Sequence, residues 1–201
     1  MYIPKEFKVT DPKEIIDFAK NNPFGILVQS GDLEPFGTHL PFLFRENDDQ
    51  LIAEGHIALA NPQSHAIRTG KTALIVLSGA HGYISSSVYS HQNVPTWNYQ
   101  AVHIYGTLEV MEDPELKAHL EQIVDTFESP RTNKLDLKQL PEDMLDAYRK
   151  EIVGFRLNAY RTEAAFKLSQ NRNEIDHQRI IEDLDQCPMN KDLIAAMKKF
   201  R

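Results

Sequence analysis

The chain has 201 residues, enough for one domain with a sizeable core. Its formal net charge of −7 works against nonspecific attraction to nucleic acid or to an anionic membrane surface. Cys187 is the single cysteine, which excludes an internal disulfide; MYIPKEF has no apolar leader core, and the apolar run at 73–77 is too short to span a bilayer, so a soluble, cytoplasmic protein without membrane contact is expected.

The first element is a helix. Asp11 is placed to cap it, Pro12 takes its first position, Ile15, Ile16, Phe18 and Ala19 share one side, and Asn21-Asn22-Pro23 ends it. Short strand-like runs follow at 24–29, 38–44, 50–56, 73–78, 83–85 and 96–111, with turns expected at Gly31-Asp32, at 46–49 and at 79–82. Pro41 removes a ladder donor, so its strand is expected at an edge or a bulge. Between two strands, Asn61-Pro62 opens and Gly70 closes a helix of about two turns. A longer helix from Pro114 to Phe127 carries Leu116, Leu120, Ile123, Val124 and Phe127 as its stripe. A polar loop is expected at 128–140 and a helix start at 141–150. A strand at 152–159 presents Val153, Phe155, Leu157 and Ala159 on one side. Thr162-Glu163 reads as a turn before a last strand at 165–169, and helices at 178–185 and 192–200 flank Pro188. The pattern is mainly β within an α+β plan: one antiparallel sheet or barrel with flanking helices and a helical extension from about 173 to 201, kept as a single domain over 1–201.

Several segments have the residue types of a binding site. In the stretch 93–106, NVPTWNYQAVHIYG, strand alternation puts Trp97, Tyr99, Ala101, His103 and Tyr105 on one face and Thr96, Asn98 and Gln100 on the other. Three successive polar positions need partners if buried. A polar ligand, a subunit interface, or solvent at an edge strand would each supply them. In EGHIALANPQ a strand carries His56 and a helix starts at Asn61-Pro62, near Gln63, Ser64, His65, Arg68 and Lys71. A helix start with such donors suits a phosphate, and it is also an ordinary capped helix. In FKLSQNR, Lys167 and Ser169 share a strand face, and Gln170, Asn171 and Arg172 add donors. Thr38, His39 and Leu40 precede Pro41, and the run 78–87 combines two glycines with serines. None of the eight histidines has the helical spacing of a zinc hydrolase, no phosphate-loop or dinucleotide fingerprint is present, and no residue pair stands out as a catalytic acid and base.

Taken in order, HLPFLF, GHIALANPQ, SGAHGYISSSVY, VPTWNY, VGF and KLSQNR resemble the PaiB family over essentially the whole chain. Where that family often carries prolines, this chain reads SGAHGY and SSSVY. The resemblance implies an FMN-binding split β-barrel of the pyridoxamine-phosphate-oxidase type and a homodimer with FMN at the subunit interface. It places the FMN phosphate near His56, Asn61 and Gln63 and the flavin or ribityl chain at Thr38, His39 and Leu40. Lys167 and Gln170 would meet the ring edge or phosphate, and Trp97 and Asn98 the ring face or the dimer contact. It also implies a negative transcriptional regulator affecting sporulation and degradative-enzyme synthesis. Three functions stay open at this stage: an FMN-binding regulator, with or without direct DNA contact; an FMN-dependent oxidoreductase on the same barrel; and a haem-binding module, for which the histidines are the support.

Overall fold

The computed structural model describes residues 1–31, 33–47 and 50–201; Asp32, Asp48 and Asp49, in two of the expected turns, lie outside the described residues. The chain order is β1 (Lys8–Val9), α1 (Pro12–Asn21), β2 (Phe24–Ser30), β3 (Pro35–Pro41), β4 (Leu43–Asn47), β5 (Gln50–Ala58), α2 (Gln63–Arg68), β6 (Thr72–Ile84), β7 (Thr96–Val110), α3 (Asp113–Glu128), α4 (Glu142–Arg149), β8 (Ile152–Lys167), α5 (Glu174–Asp185) and α6 (Lys191–Lys199). The strands form one sheet in the order β3-β2-β6-β7-β8-β5-β4, with β1 paired to β8. The ladders β1–β8, β2–β3, β2–β6, β4–β5 and β5–β8 are antiparallel, for example Leu27 opposite Thr38 in β2–β3 and Glu54 opposite Arg156 in β5–β8.

Local chemistry sets most boundaries. The Asp11 side chain accepts from the Lys13 amide at 2.9 Å, and Ile15, Ile16, Phe18 and Ala19 are buried, so α1 forms where its cap and stripe place it. Glu112 and Glu115 make a reciprocal capping box at the start of α3. Gly70 closes α2 with a φ of 65°, a left-handed backbone that glycine adopts at no steric cost. Pro41 ends β3, which is an edge strand of the sheet, as a residue without a ladder donor requires. The chain resumes as β4 after Phe42, whose amide is taken by the Pro23 carbonyl at 2.8 Å.

Two expected turns are absent. Residues 79–82 continue β6 as strand. A Cβ on Gly79 would lie 2.7 Å from the Phe18 ring, and one on Gly82 would lie 2.8 Å from Leu193. These glycines let α1 and α6 approach the strand, a packing role that local composition does not distinguish from a turn. Thr162 and Glu163 likewise stay within β8. They contain neither glycine nor proline, Ala164 and Ala165 pair with β1, and the Glu163 carboxylate holds the amino terminus.

The described chain divides into two compact units. One comprises Met1–Asn22, Leu77–His103 and Thr162–Arg201, the other Pro23–Val76 and Ile104–Arg161. In the first, Phe18 and Phe200 meet Phe166 at ring-centroid distances of 5.0 and 4.9 Å, and Ile180, Leu184, Leu193 and Met197 complete the core. In the second, the buried core is built from Leu27, Phe42, Ile52, Ile67, Ile75, Ile104, Phe155 and Leu157. Gly55 sits under Leu40 and Phe155, where a side chain would collide at about 3 Å.

Candidate functional site

In the second unit, three of the expected residues converge. Asn61 donates through Nδ2 to the Thr38 hydroxyl at 3.0 Å, and that hydroxyl donates to Gln63 Oε1 at 2.7 Å. Gln63 is fully buried; its Nε2 donates to the Leu27 carbonyl and to Gln29 Oε1, at 3.2 and 3.1 Å. The start of α2 is already satisfied from within. Asn61 Oδ1 accepts from the Gln63 amide at 2.9 Å, the Asn61 carbonyl accepts from the Ser64 amide, and the Ser64 hydroxyl donates to Leu59 O. These bonds occupy the amides that an anion at the helix start would need. The polar focus is therefore the Thr38–Asn61–Gln63–Gln29 chain.

Gln29 was not legible as a site residue, although it occupies an inward position of alternating β2 beside Gly25 and Leu27. It is 2% exposed, and its Nε2 is a buried donor without a partner among the described residues. Gln29 lines a cavity of about 200 Å³ together with Val28, Thr72, Leu74, Tyr105 and Tyr160. The Arg161 guanidinium lies 3.9 Å from the centroid of the Tyr105 ring. A buried amide donor is ordinarily paired, by the chain, by water or by a bound group. His39 is exposed and stacks on Phe24 at 6.1 Å, while the Leu40 side chain is in the core. His56 turns elsewhere: its Nδ1 lies 3.1 Å from Nε2 of His119 on α3, a residue the sequence did not single out. Burial holds the His56 imidazole below its usual pKa. Burial, then His56, lower His119 to about 4, against a small opposing effect of Glu54.

In the first unit, the two faces of β7 have opposite fates. Trp97 is half exposed and forms an aromatic shelf with His81, stacked at 6.0 Å, and Tyr83, edge-on at 6.2 Å. His81 and Tyr83 fall in the run 78–87, where the sequence points to close backbone approach at the glycines and not to an aromatic surface. The polar face points inward: Asn98 and Gln100 are buried. β7 is an interior strand, so solvent at an edge does not serve them. Asn98 exchanges hydrogen bonds with the buried Ser169, and the Lys167 ammonium donates to the Thr96 hydroxyl at 2.5 Å and lies over Phe7. Gln170 closes a local turn, accepting from the Leu168 amide and donating to the Phe166 carbonyl. The partners that strand alternation required for Thr96 and Asn98 are thus within the chain.

A family described as "Putative FMN-binding domain" matches residues 1–161. The Bacillus subtilis protein named "Protease synthase and sporulation protein PAI 2" is 42% identical over 200 residues, covering 98% of this chain and 97% of its own. The chain belongs to the PaiB family. FMN is the cofactor of this FMN-binding family. Among solved structures, the FAD and heme binding protein from Mycobacterium smegmatis matches with a TM-score of 0.56 at 16% identity, over 80% of this chain and 73% of that one. The flavocytochrome Anf3 from Azotobacter vinelandii matches with the same TM-score and identity, over 88% and 78%. These likenesses establish the fold, a mostly antiparallel split barrel with helices, as the family resemblance implied. Among the described residues no helix is long and apolar enough to cross a membrane, and no group of three or more histidine, cysteine or acidic residues is placed to hold a metal.

Proposed function

We propose that this PaiB-family chain is an FMN-binding negative regulator of degradative-enzyme synthesis and sporulation, working as a homodimer with the flavin at the subunit interface. The observation that carries the cofactor assignment onto particular residues is the orphaned Gln29 Nε2 beside the Thr38–Asn61–Gln63 chain. FMN is rich in acceptors, with ring carbonyls, ribityl hydroxyls and a phosphate, and Gln29 Nε2 is a donor that one of them would satisfy. Thr38, Asn61 and Gln63, bonded to one another, fix the position of Gln29 and shape the site, with His39 and the Leu40 backbone beside them on β3. The Trp97 shelf is a second candidate surface, for the flat ring; Asn98 braces the strand beneath, and Lys167 is bonded to Thr96, next to Trp97 in the chain. When bound, FMN supplies redox chemistry. A lysine cation near the ring favours negative charge on it. Regulation then follows flavin state, and the acidic chain acts without contacting DNA by bulk charge attraction.

The test is the visible spectrum of the purified chain with added FMN, read across gel filtration calibrated for mass. The expected result is co-elution of flavin absorbance with a dimer. Asn61→Ala and Gln29→Leu weaken FMN binding by about tenfold each, the cost of one or two hydrogen bonds. Trp97→Ala tests the shelf separately. Flavin that elutes apart from the protein, with no binding on titration, overturns the cofactor assignment. Unchanged affinity in Asn61→Ala, Gln29→Leu and Lys167→Ala overturns the site.

A further inference from the structure

A separate cavity of about 630 Å³ lies in the second unit, bounded by α3, α4 and the ends of β5 and β8. Leu120, Val124, Leu137, Leu145 and Ile152 give it an apolar wall, and His56 is part of its lining. The volume is within the range of small-molecule sites, roughly 300–1,000 Å³. Three of the charged residues at its boundary are in ion pairs: Lys117 with Glu142 at 2.8 Å, and Arg149 with Asp113 and Asp146 at 3.1 and 2.6 Å. His56 shares the rest of the polar lining with Glu121, Lys138, Tyr148 and Glu151.

The state of His56 follows from its neighbour. His119 is 2% exposed, and its Nδ1 is a buried atom without a partner among the described residues. Burial keeps both rings neutral, so each carries a single N–H. If His119 carried its proton on Nδ1, a buried N–H would be orphaned. An orphaned buried N–H is rarer and costlier than an unused lone pair. His119 therefore carries its proton on Nε2 and donates to His56 Nδ1, 3.1 Å away. His56 Nδ1 is then the acceptor, and the opposite nitrogen, Nε2, carries the hydrogen of this lining residue.

We propose that this cavity binds a small apolar carboxylate, an aromatic or short aliphatic acid, with the apolar wall taking its body and His56 Nε2–H donating to its carboxylate. Ionised acceptors make the stronger hydrogen bonds, and Lys138 on the lining adds a cation for the same group. The ligand class is distinct from FMN, whose polar chain and phosphate do not suit an apolar wall.

The probes are octanoate and phenylacetate, each titrated by calorimetry into the full chain at pH 7.5. Saturable binding at one site per chain is expected for at least one of them. His56→Phe weakens it by about 10- to 100-fold, the loss of a hydrogen bond to a charged group. Leu145→Trp fills the cavity and abolishes it. Should that variant melt far below the parent by circular dichroism, Val124→Phe takes its place. Imidazole ¹⁵N shifts read the tautomer directly: His56 protonated on Nε2 and His119 on Nε2. No saturable binding of either acid overturns the site. Binding that survives the filling variant overturns its location. Binding unchanged in His56→Phe, or the opposite tautomer, overturns the donor assignment.

Discussion

Asn98 and Ser169 satisfy one another in the core of the first unit: Asn98 Nδ2 donates to the Ser169 hydroxyl at 2.9 Å, and that hydroxyl lies 3.1 Å from Asn98 Oδ1. Both side chains are buried, and Ser169 has a φ of 61°, the left-handed region. The pair joins the start of β7 to the turn after β8, and it accounts for a polar residue on a strand face that otherwise becomes apolar.

Removing either partner leaves a buried polar group unpaired. Asn98→Leu is expected to cost about 2–3 kcal/mol in chemical denaturation, since the Ser169 hydroxyl is stranded. Ser169→Gly is expected to be milder than Ser169→Ala by about 1 kcal/mol, because glycine takes the left-handed backbone without penalty. An alanine variant as stable as the glycine variant would remove the conformational part of this account.

Gly79 predicts a steric outcome. Alanine there places a methyl group 2.7 Å from a ring carbon of Phe18, within β6. Overpacking of this kind costs about 1–3 kcal/mol. Pairing it with Phe18→Leu should recover part of the loss, and a double-mutant cycle on denaturation midpoints measures how much.

Glu54 is buried between two guanidiniums, bonded to Arg45 at 2.7 Å and to Arg156 at 3.0 Å. Burial pushes its carboxyl up, but Arg45 and Arg156 together outweigh this and hold it below the usual carboxylate range. The stability it contributes is present above the ordinary carboxylate pKa and is lost as pH falls below it. Glu54→Gln is expected to destabilise the chain by about 2 kcal/mol at pH 7, less than a fully buried pair because Arg45 is partly in water. The loss should shrink toward pH 3, and a loss independent of pH would contradict the charge-based account.

His119 gives a second, separable pH dependence. Its pKa is about 4 in the folded chain, against an ordinary value near 6.5, so between these values the unfolded chain binds more protons. Stability should therefore fall as pH drops from about 6.5 to about 4, by at most roughly 1.4 kcal/mol per pH unit, and be flat above. Thermal melts of His119→Phe should show a shallower slope in that window. An identical slope in the variant would assign the effect to other groups; His56 shifts in the same direction and accounts for what remains.

The sequence by itself determined the parts that local physics controls. Asp11 and Pro12 start α1 whatever lies around them, because a cap and a fixed φ act within one turn. The inward positions of β8, Val153, Phe155 and Leu157, follow from strand alternation, and the edge position of β3 follows from Pro41. Ordered motifs from HLPFLF to KLSQNR were enough for the family and its FMN fold. Tertiary structure decided which partner each polar side chain meets. His56 and Asn61 are five residues apart in one motif, yet one ring meets His119 and the other amide meets Thr38, since a strand end and a loop project in different directions. Gly79 and Gly82 look like turn residues until Phe18 and Leu193, distant in sequence, are seen to occupy the space a Cβ would need. Buried hydrogen bonds between distant segments, such as Asn98 to Ser169, depend on register and packing, which no short window of sequence contains.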